Sequence, residues 1–96
     1  MNRENLLALL RQNKPHLKQH FGVKRLGLFG SASRNTATAA SDIDVLVSFE
    51  GRATSDQFFG VQFFLEDLFG RPVDLVTEKA LRAELRPYIE REVADV

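Results

Sequence analysis

The 96-residue sequence predicts an α/β domain in which a short mixed or parallel sheet is covered by helices. Strand-like apolar runs alternate with segments whose apolar residues recur at helical spacing, and this alternation is typical of α/β folds. Three strands are predicted, at residues 23–29, 42–49 and 73–77. The length suffices for one domain with one modest core, so we expect residues 1–96 to form a single domain.

The N-terminal segment predicts two helical pieces. Four leucines near the N-terminus favour a helix over residues 3–12, with Asn2 as its cap. Pro15 has no backbone N–H to donate, so we expect a break at residues 13–14 and a second piece that begins at Pro15. Gly22 provides the stop signal for that piece.

Helical patterns also separate and follow the later strands. Residues 31–40 are small and polar and predict one helical turn followed by a mobile loop. Residues 55–69 carry apolar side chains at helical spacing, and Gly70 marks the end of that helix. Residues 78–85 and 87–93 predict two further helical pieces.

Composition excludes several classes of protein. Thirteen basic residues balance thirteen acidic ones, so we expect no direct binding of an extended nucleic acid. The absence of cysteine excludes disulfides and thiolate zinc sites and fits a reducing cytoplasm, which is the location we expect. The N-terminus lacks the apolar core of a signal peptide, and no stretch is apolar enough to cross a membrane.

Three aspartates interrupt apolar strands and predict a metal site. Asp42 and Asp44 lie two residues apart in a strand, so both side chains project from one face, with Cα atoms about 6 to 7 Å apart. Asp74 interrupts the third strand, and an adjacent position in the sheet would bring it beside the first pair. Carboxylates suit magnesium, and three of them would hold two ions about 3.5 to 4 Å apart for phosphoryl chemistry. Taken alone, Asp42 also fits a simple turn former.

A glycine-serine pair supplies a candidate phosphate site. Gly30 and Ser31 end the first strand, where a missing Cβ and a small hydroxyl let backbone N–H groups approach a phosphate. Arg34 follows one helical turn later, where it would neutralise phosphate charge or pair with an acid of the site. A glycine-serine pair alone is more often a plain turn, so the inference depends on its combination with the acids.

These residues together resemble a known superfamily. Gly30-Ser31, ten intervening positions and then Asp42-Ile43-Asp44 are similar to the signature of the DNA polymerase beta-like nucleotidyltransferases. The segments around Phe29, Asp44 and Asp74 resemble, more narrowly, the minimal nucleotidyltransferases, or MNT proteins. The resemblance covers most of the chain and implies a small nucleotidyltransferase fold.

The resemblance also implies roles and partners. Gly30 and Ser31 would contact the triphosphate of ATP, Asp42 and Asp44 would bind Mg²⁺, and Asp74 would be the third acid. Family members are typically encoded beside a HEPN-domain protein, often an RNase toxin, and several act as antitoxins by transferring AMP to a tyrosine of it. Asn35 departs from the glycine that commonly follows the arginine, but asparagine tolerates the left-handed backbone, so we expect the turn to survive.

The leading hypothesis is transfer of a nucleoside monophosphate, from ATP, to a hydroxyl of a partner protein. A second hypothesis is a binding module that neutralises its partner by contact alone. Phe59 and Phe63 lie beside the core-facing stripe of the helix over 55–69, where they would be either deeply buried or part of a surface for a partner or for homo-oligomer formation. A third is an enzyme that modifies a small molecule such as an aminoglycoside, although 96 residues leave little wall for its pocket.

Overall fold

The computed structural model describes residues 2–36, 38 and 41–96 and shows an α/β fold with a four-stranded mixed sheet. The helices are α1 (Arg3–Phe21), α2 (Gly30–Ser33), α3 (Ser55–Phe69) and α4 (Arg86–Glu92). The strands are β1 (Val23–Phe29), β2 (Ile43–Phe49), β3 (Val73–Thr77) and β4 (Ala94–Asp95). Their order in the sheet is β3-β2-β1-β4, with β2 and β3 parallel and the other two pairs antiparallel. The predicted α/β class is confirmed.

The first helix is continuous, so the predicted break before Pro15 is wrong. α1 runs through Pro15, is capped by the Asn2 side chain and ends at Gly22 in the left-handed conformation. Leucines on both sides of Pro15 are buried, including Leu10 and Leu17, whereas Pro15 itself faces solvent. Burial of this face therefore outweighs the one hydrogen bond that proline removes. No helix within the described residues is long and apolar enough to cross a membrane.

The main core lies between one face of the sheet and the pair α1 and α3. α1 packs against β1 and α3, and α3 packs against β3. Alternate residues of the strands point into this layer and are almost fully buried, because successive side chains of a strand face opposite sides. The buried strand residues are Val23, Leu26, Leu28, Ile43, Val45, Val47, Phe49, Val73 and Leu75.

The C-terminal segment covers the second face of the sheet. Leu46 on that face is fully buried, and a Cβ at Gly27 would lie 2.7 Å from Cγ2 of Val93. Residues 78–85 do not form the predicted helical piece: only Glu78–Ala80 form a short 3₁₀ turn. α4 confirms the second predicted piece, and β4, which the sequence did not predict, pairs with β1.

Ion pairs attach the C-terminal segment to the sheet. The Arg25 guanidinium on β1 lies 2.8 Å from Asp95, 2.8 Å from Glu90 and 3.2 Å from Glu78. These carboxylates raise the pKa of Arg25 above its ordinary value, and the hydrogen bonds that Arg25 donates to Asp95 are the largest cause. α4 itself has no buried residue, so its position depends strongly on these polar contacts.

Replacement of Arg25 with alanine is expected to loosen the C-terminal segment. The loss of three carboxylate contacts should lower the free energy of unfolding by about 1 to 2 kcal/mol, since each partly exposed pair contributes little alone. Hydrogen exchange of residues 86–92 should become faster than in the wild type. Lys24→Ala is the matched control, because Lys24 is an exposed neighbour on the same strand. Equal exchange in the two variants would contradict this role for Arg25.

Candidate functional site

Two of the three predicted aspartates lie side by side at one end of the sheet. Asp44 on β2 and Asp74 on β3 are paired residues in the parallel ladder, so their side chains project from the same face. Asp44 is half-buried and Asp74 is exposed. Asp42 is exposed and directly precedes β2, which begins at Ile43, one residue later than predicted.

The Asp44 carboxyl is in an unfavourable environment for its charge. The pKa of Asp44 is raised from the ordinary value of 3.8 to about 6, with burial as the largest cause, followed by the charge of Asp74 and the hydrogen bond with it. The charges of Asp42 and Glu92 contribute further increases. Three other carboxylates therefore act on Asp44, and a bound cation would relieve the repulsion among the four.

The donor set suits a hard divalent cation. Asp44 and Asp74 present carboxylate oxygens, which Mg²⁺ prefers, and a cation would offset the neighbouring negative charges that raise the pKa of Asp44. Within the described residues, no three acidic, histidine or cysteine side chains are arranged closely enough to form a metal site. The exposed Asp42 side chain would have to turn toward the pair to become a third ligand.

Gly30 lies directly against the aspartate pair. Its φ of 70° is in the left-handed region, which favours glycine, and a Cβ at this position would lie 2.1 Å from Oδ2 of Asp44. Ser31 follows in the first turn of α2, and Ser33 closes that turn by donating its hydroxyl to the Gly30 carbonyl at 2.9 Å. The predicted glycine-serine turn therefore adjoins the predicted acids.

Glu92 is a residue of this site that the sequence analysis missed. Its Oε1 accepts a hydrogen bond from the Gly30 backbone N–H at 2.7 Å, and its Oε2 pairs with Nη1 of Arg34 at 2.7 Å. Of the two roles predicted for Arg34, phosphate binding or pairing with an acid, the structure shows the second, and the acid is Glu92. Acidic and basic residues alternate along α4, a pattern typical of a solvated helical face, so no local signal distinguishes Glu92 from its neighbours.

Two further contacts hold the loops beside the site. Arg71, just before β3, donates hydrogen bonds to the carbonyls of Thr38 and Ser41, which fixes the chain directly before Asp42. Asn35 has a φ of 60°, so the predicted left-handed turn at this residue is confirmed. The rest of the loop predicted to be mobile includes residues 37, 39 and 40, which lie outside the described residues.

Asp44→Asn is expected to stabilise the metal-free protein at neutral pH. Between about pH 4 and pH 6 the unfolded Asp44 loses its proton while the folded one keeps it, so wild-type stability falls as the pH rises through this window. The penalty is complete above about pH 6 and should reach about 1 kcal/mol, reduced by the solvent screening of a partly exposed pair.

Urea denaturation in EDTA at pH 4 and pH 7 measures this effect. The advantage of Asp44→Asn over the wild type should be present at pH 7 and small at pH 4. Asp67→Asn, which removes an exposed carboxylate from α3, should show no such change with pH. An Asp44→Asn protein that is less stable than the wild type at pH 7 would contradict the repulsion.

Comparisons with known proteins agree with this geometry. Residues 10–95 match the family model described as nucleotidyltransferase domain. A protein adenylyltransferase, MntA, from Thermococcus cleftensis is 37% identical over 93 residues, which cover 97% of this chain and 94% of the relative.

Solved structures show the same fold. A structure described as that of a proposed minimal nucleotidyltransferase superposes with a TM-score of 0.85 at 35% identity, over 100% of this chain and 97% of the other. A chain in a complex of a tri-AMPylated Shewanella oneidensis HEPN toxin with an MNT antitoxin superposes with a TM-score of 0.60 at 22% identity, over 98% and 67% of the two chains. The chain belongs to the nucleotidyltransferase domain family and is an enzyme of that type.

Proposed function

We propose that this chain transfers AMP from ATP to a hydroxyl group of a partner protein and releases pyrophosphate. The observation that carries the proposal is the pairing of Asp44 with Asp74 directly against the Gly30 turn. Paired carboxylates would bind the metal ions that accompany a triphosphate, and the turn offers backbone N–H groups to its phosphates. The name of the Thermococcus cleftensis relative, a protein adenylyltransferase, supports AMP as the transferred group.

Each predicted site residue has a role in this reaction. Asp42, Asp44 and Asp74 would hold Mg²⁺, as two ions, while Gly30, Ser31 and Arg34 would bind the triphosphate. When bound, the metal offsets charge on the phosphate oxygens. Arg34 adds a second positive charge, with a guanidinium geometry that suits phosphate oxygens.

The transfer itself is an in-line displacement. The acceptor oxygen attacks the α-phosphorus, the bond from the α-phosphorus to the bridging oxygen of the β-phosphate breaks, and pyrophosphate leaves. The proton of the acceptor hydroxyl passes to the carboxylate of Asp74, which is the exposed member of the pair and so faces an incoming acceptor.

A HEPN-domain toxin is the proposed partner, with this chain as its antitoxin. The complex of a HEPN toxin with an MNT antitoxin in the comparison supports this pairing, because that toxin carries three AMP groups. Phe59 and Phe63 on α3 are 49% and 60% exposed, and their rings stack at 6.2 Å, which excludes the deep burial considered for them. Exposed, adjacent aromatic rings are typical of protein contact surfaces.

Transfer of label from ATP tests the proposal directly. The chain is incubated with magnesium, a HEPN-domain protein as the candidate partner, and ATP labelled on either the α- or the γ-phosphate. AMP transfer places only the α label on the partner, whereas phosphoryl transfer places only the γ label. No label on the partner from either substrate, under conditions where the two proteins form a complex, would contradict the proposal.

Neutralisation by contact alone is the second candidate function, and the exposure of Phe59 and Phe63 favours it. An Asp42→Ala/Asp44→Ala variant that still protects cells fully against the partner would support contact, and loss of protection would support catalysis. A Phe59→Ser/Phe63→Ser variant measures the contribution of docking to either function.

A small-molecule acceptor has less support from the geometry. A cavity of about 570 Å³ lies where β2 and β3 end, lined by Phe49, Phe58 and Lys79 among others. Asp44 and Asp74 lie near the beginning of the same strands, so about 10 to 13 Å of strand separates each aspartate from the nearest cavity-lining residue of its own strand. A partner protein would supply the acceptor wall that the aspartates lack.

A further inference from the structure

The Glu92 carboxylate contacts the same two groups that the proposed function assigns to the triphosphate. One oxygen accepts the Gly30 N–H and the other pairs with Arg34, each at 2.7 Å. The Gly30 N–H and the Arg34 guanidinium are both hydrogen-bond donors, and the group that accepts from both of them is the Glu92 carboxylate, an anion. An anionic side chain of the chain itself therefore satisfies the proposed phosphate contacts.

Glu92 and a phosphate group cannot use these donors at the same time. The Gly30 N–H has one hydrogen to donate, and Glu92 takes it at a short, charge-assisted distance. The Glu92 carboxylate is itself an anion within hydrogen-bond distance of both donors, so it would repel a further anion at the same place. Binding of a triphosphate at Gly30 requires the Glu92 carboxylate to leave.

The segment that carries Glu92 is suited to such a movement. Glu92 is the last residue of α4, a seven-residue helix without buried side chains, and Tyr88 on it is 65% exposed. The contacts of α4 with the sheet include polar ones, such as the pair between Glu90 and Arg25. Loosening of α4 alone, with Val93 still packed against the sheet, therefore exposes little apolar surface.

We propose that Glu92 is an internal competitor of the nucleotide: its carboxylate occupies the Gly30 N–H and Arg34, and ATP binds only by displacing it. The inference rests on the proposed function, because it takes ATP as the ligand of these donors. The competing interpretation is that Glu92 orients Arg34 toward a phosphate. The two interpretations predict opposite effects when the charge of Glu92 is removed.

Calorimetric titration of ATP in the presence of magnesium separates them. Glu92→Gln keeps the shape of the side chain but weakens its hold on Arg34, so the Kd for ATP should fall about tenfold, which corresponds to about 1.4 kcal/mol. Glu84→Gln is the matched control, since Glu84 is an exposed acid shortly before α4 and its loss changes the net charge equally. An unchanged or weaker affinity of Glu92→Gln for ATP would overturn the proposal that Glu92 competes with ATP.

Hydrogen exchange of the wild-type protein provides a second readout that needs no variant. ATP should accelerate amide exchange in residues 86–92, because α4 loses its contact with the Gly30 turn. Slower or unchanged exchange at saturating ATP overturns the competitor. No measurable ATP binding by either the wild type or Glu92→Gln also overturns it, since nothing then competes.

The outcomes distinguish this inference from the proposed function. Tighter ATP binding by Glu92→Gln without transfer of the α label would support the competition between Glu92 and ATP and would contradict the proposed transfer reaction. Transfer of the α label by the wild type, together with unchanged ATP affinity in Glu92→Gln, would support the proposed transfer reaction and would contradict the competition between Glu92 and ATP.

Discussion

Replacement of Asp44 with asparagine is expected to reduce AMP transfer by about a thousandfold or more. Asparagine has nearly the same shape, and β2 remains buried on its core side, so the fold should persist. What changes is the charge: the half-buried carboxylate is the acid most closely associated with both Asp74 and the Gly30 turn. A thousandfold loss corresponds to about 4 kcal/mol of transition-state stabilisation.

Single-turnover transfer of the α label measures this loss, with Asp67→Asn as the control for removal of an unrelated carboxylate. The same Asp44→Asn protein should be more stable than the wild type at pH 7 without metal, so stability and activity should move in opposite directions. Such opposition is characteristic of residues that serve function at a cost to the fold. An Asp44→Asn rate of AMP transfer within tenfold of the wild-type rate would show that the Asp44 carboxylate has no role in catalysis.

Elements defined by local signals could be predicted from the sequence. Residues 55–69 form α3 with the predicted bounds, because their apolar spacing and Gly70 specify the helix and its end without distant contacts. β1 and β3 also have their predicted bounds, since Gly22 and Gly30 flank β1 and Pro72 directly precedes β3. The position of Asp44 beside Asp74 on adjacent strands could also be predicted, because each aspartate interrupts an apolar strand of the same small sheet.

Elements that depend on distant partners could not be predicted. β4 has only two residues and exists because Ala94 and Asp95 pair with β1, far away in sequence. Glu92 reaches Gly30 across 62 positions, and no pattern within α4 distinguishes it from Glu90, which binds Arg25 instead. The break predicted before Pro15 is wrong for a related reason: buried leucines on both sides of Pro15 stabilise the helix more than one missing hydrogen bond destabilises it.

Gly30→Ala is expected to damage both the fold and the site. The new Cβ would lie 2.1 Å from Oδ2 and 2.9 Å from Cγ of Asp44, far inside van der Waals contact. The residue also has a φ of 70°, where alanine is strained. We expect a loss of about 2 to 4 kcal/mol in the free energy of unfolding and at least about a hundredfold loss of AMP transfer, because the Asp44 carboxyl must move.

Gly51→Ala separates the strain of the backbone from the collision with Asp44. Gly51 has the same φ of 70°, but a Cβ there would meet nothing within 4 Å, so its alanine variant should lose only about 1 kcal/mol and no transfer activity. The excess cost of Gly30→Ala should shrink in an Asp44→Ala background, because that truncation removes the atoms with the closest contacts. Equal costs for the two glycine variants by urea denaturation would show that backbone strain alone explains Gly30, and that its proximity to Asp44 has no energetic consequence.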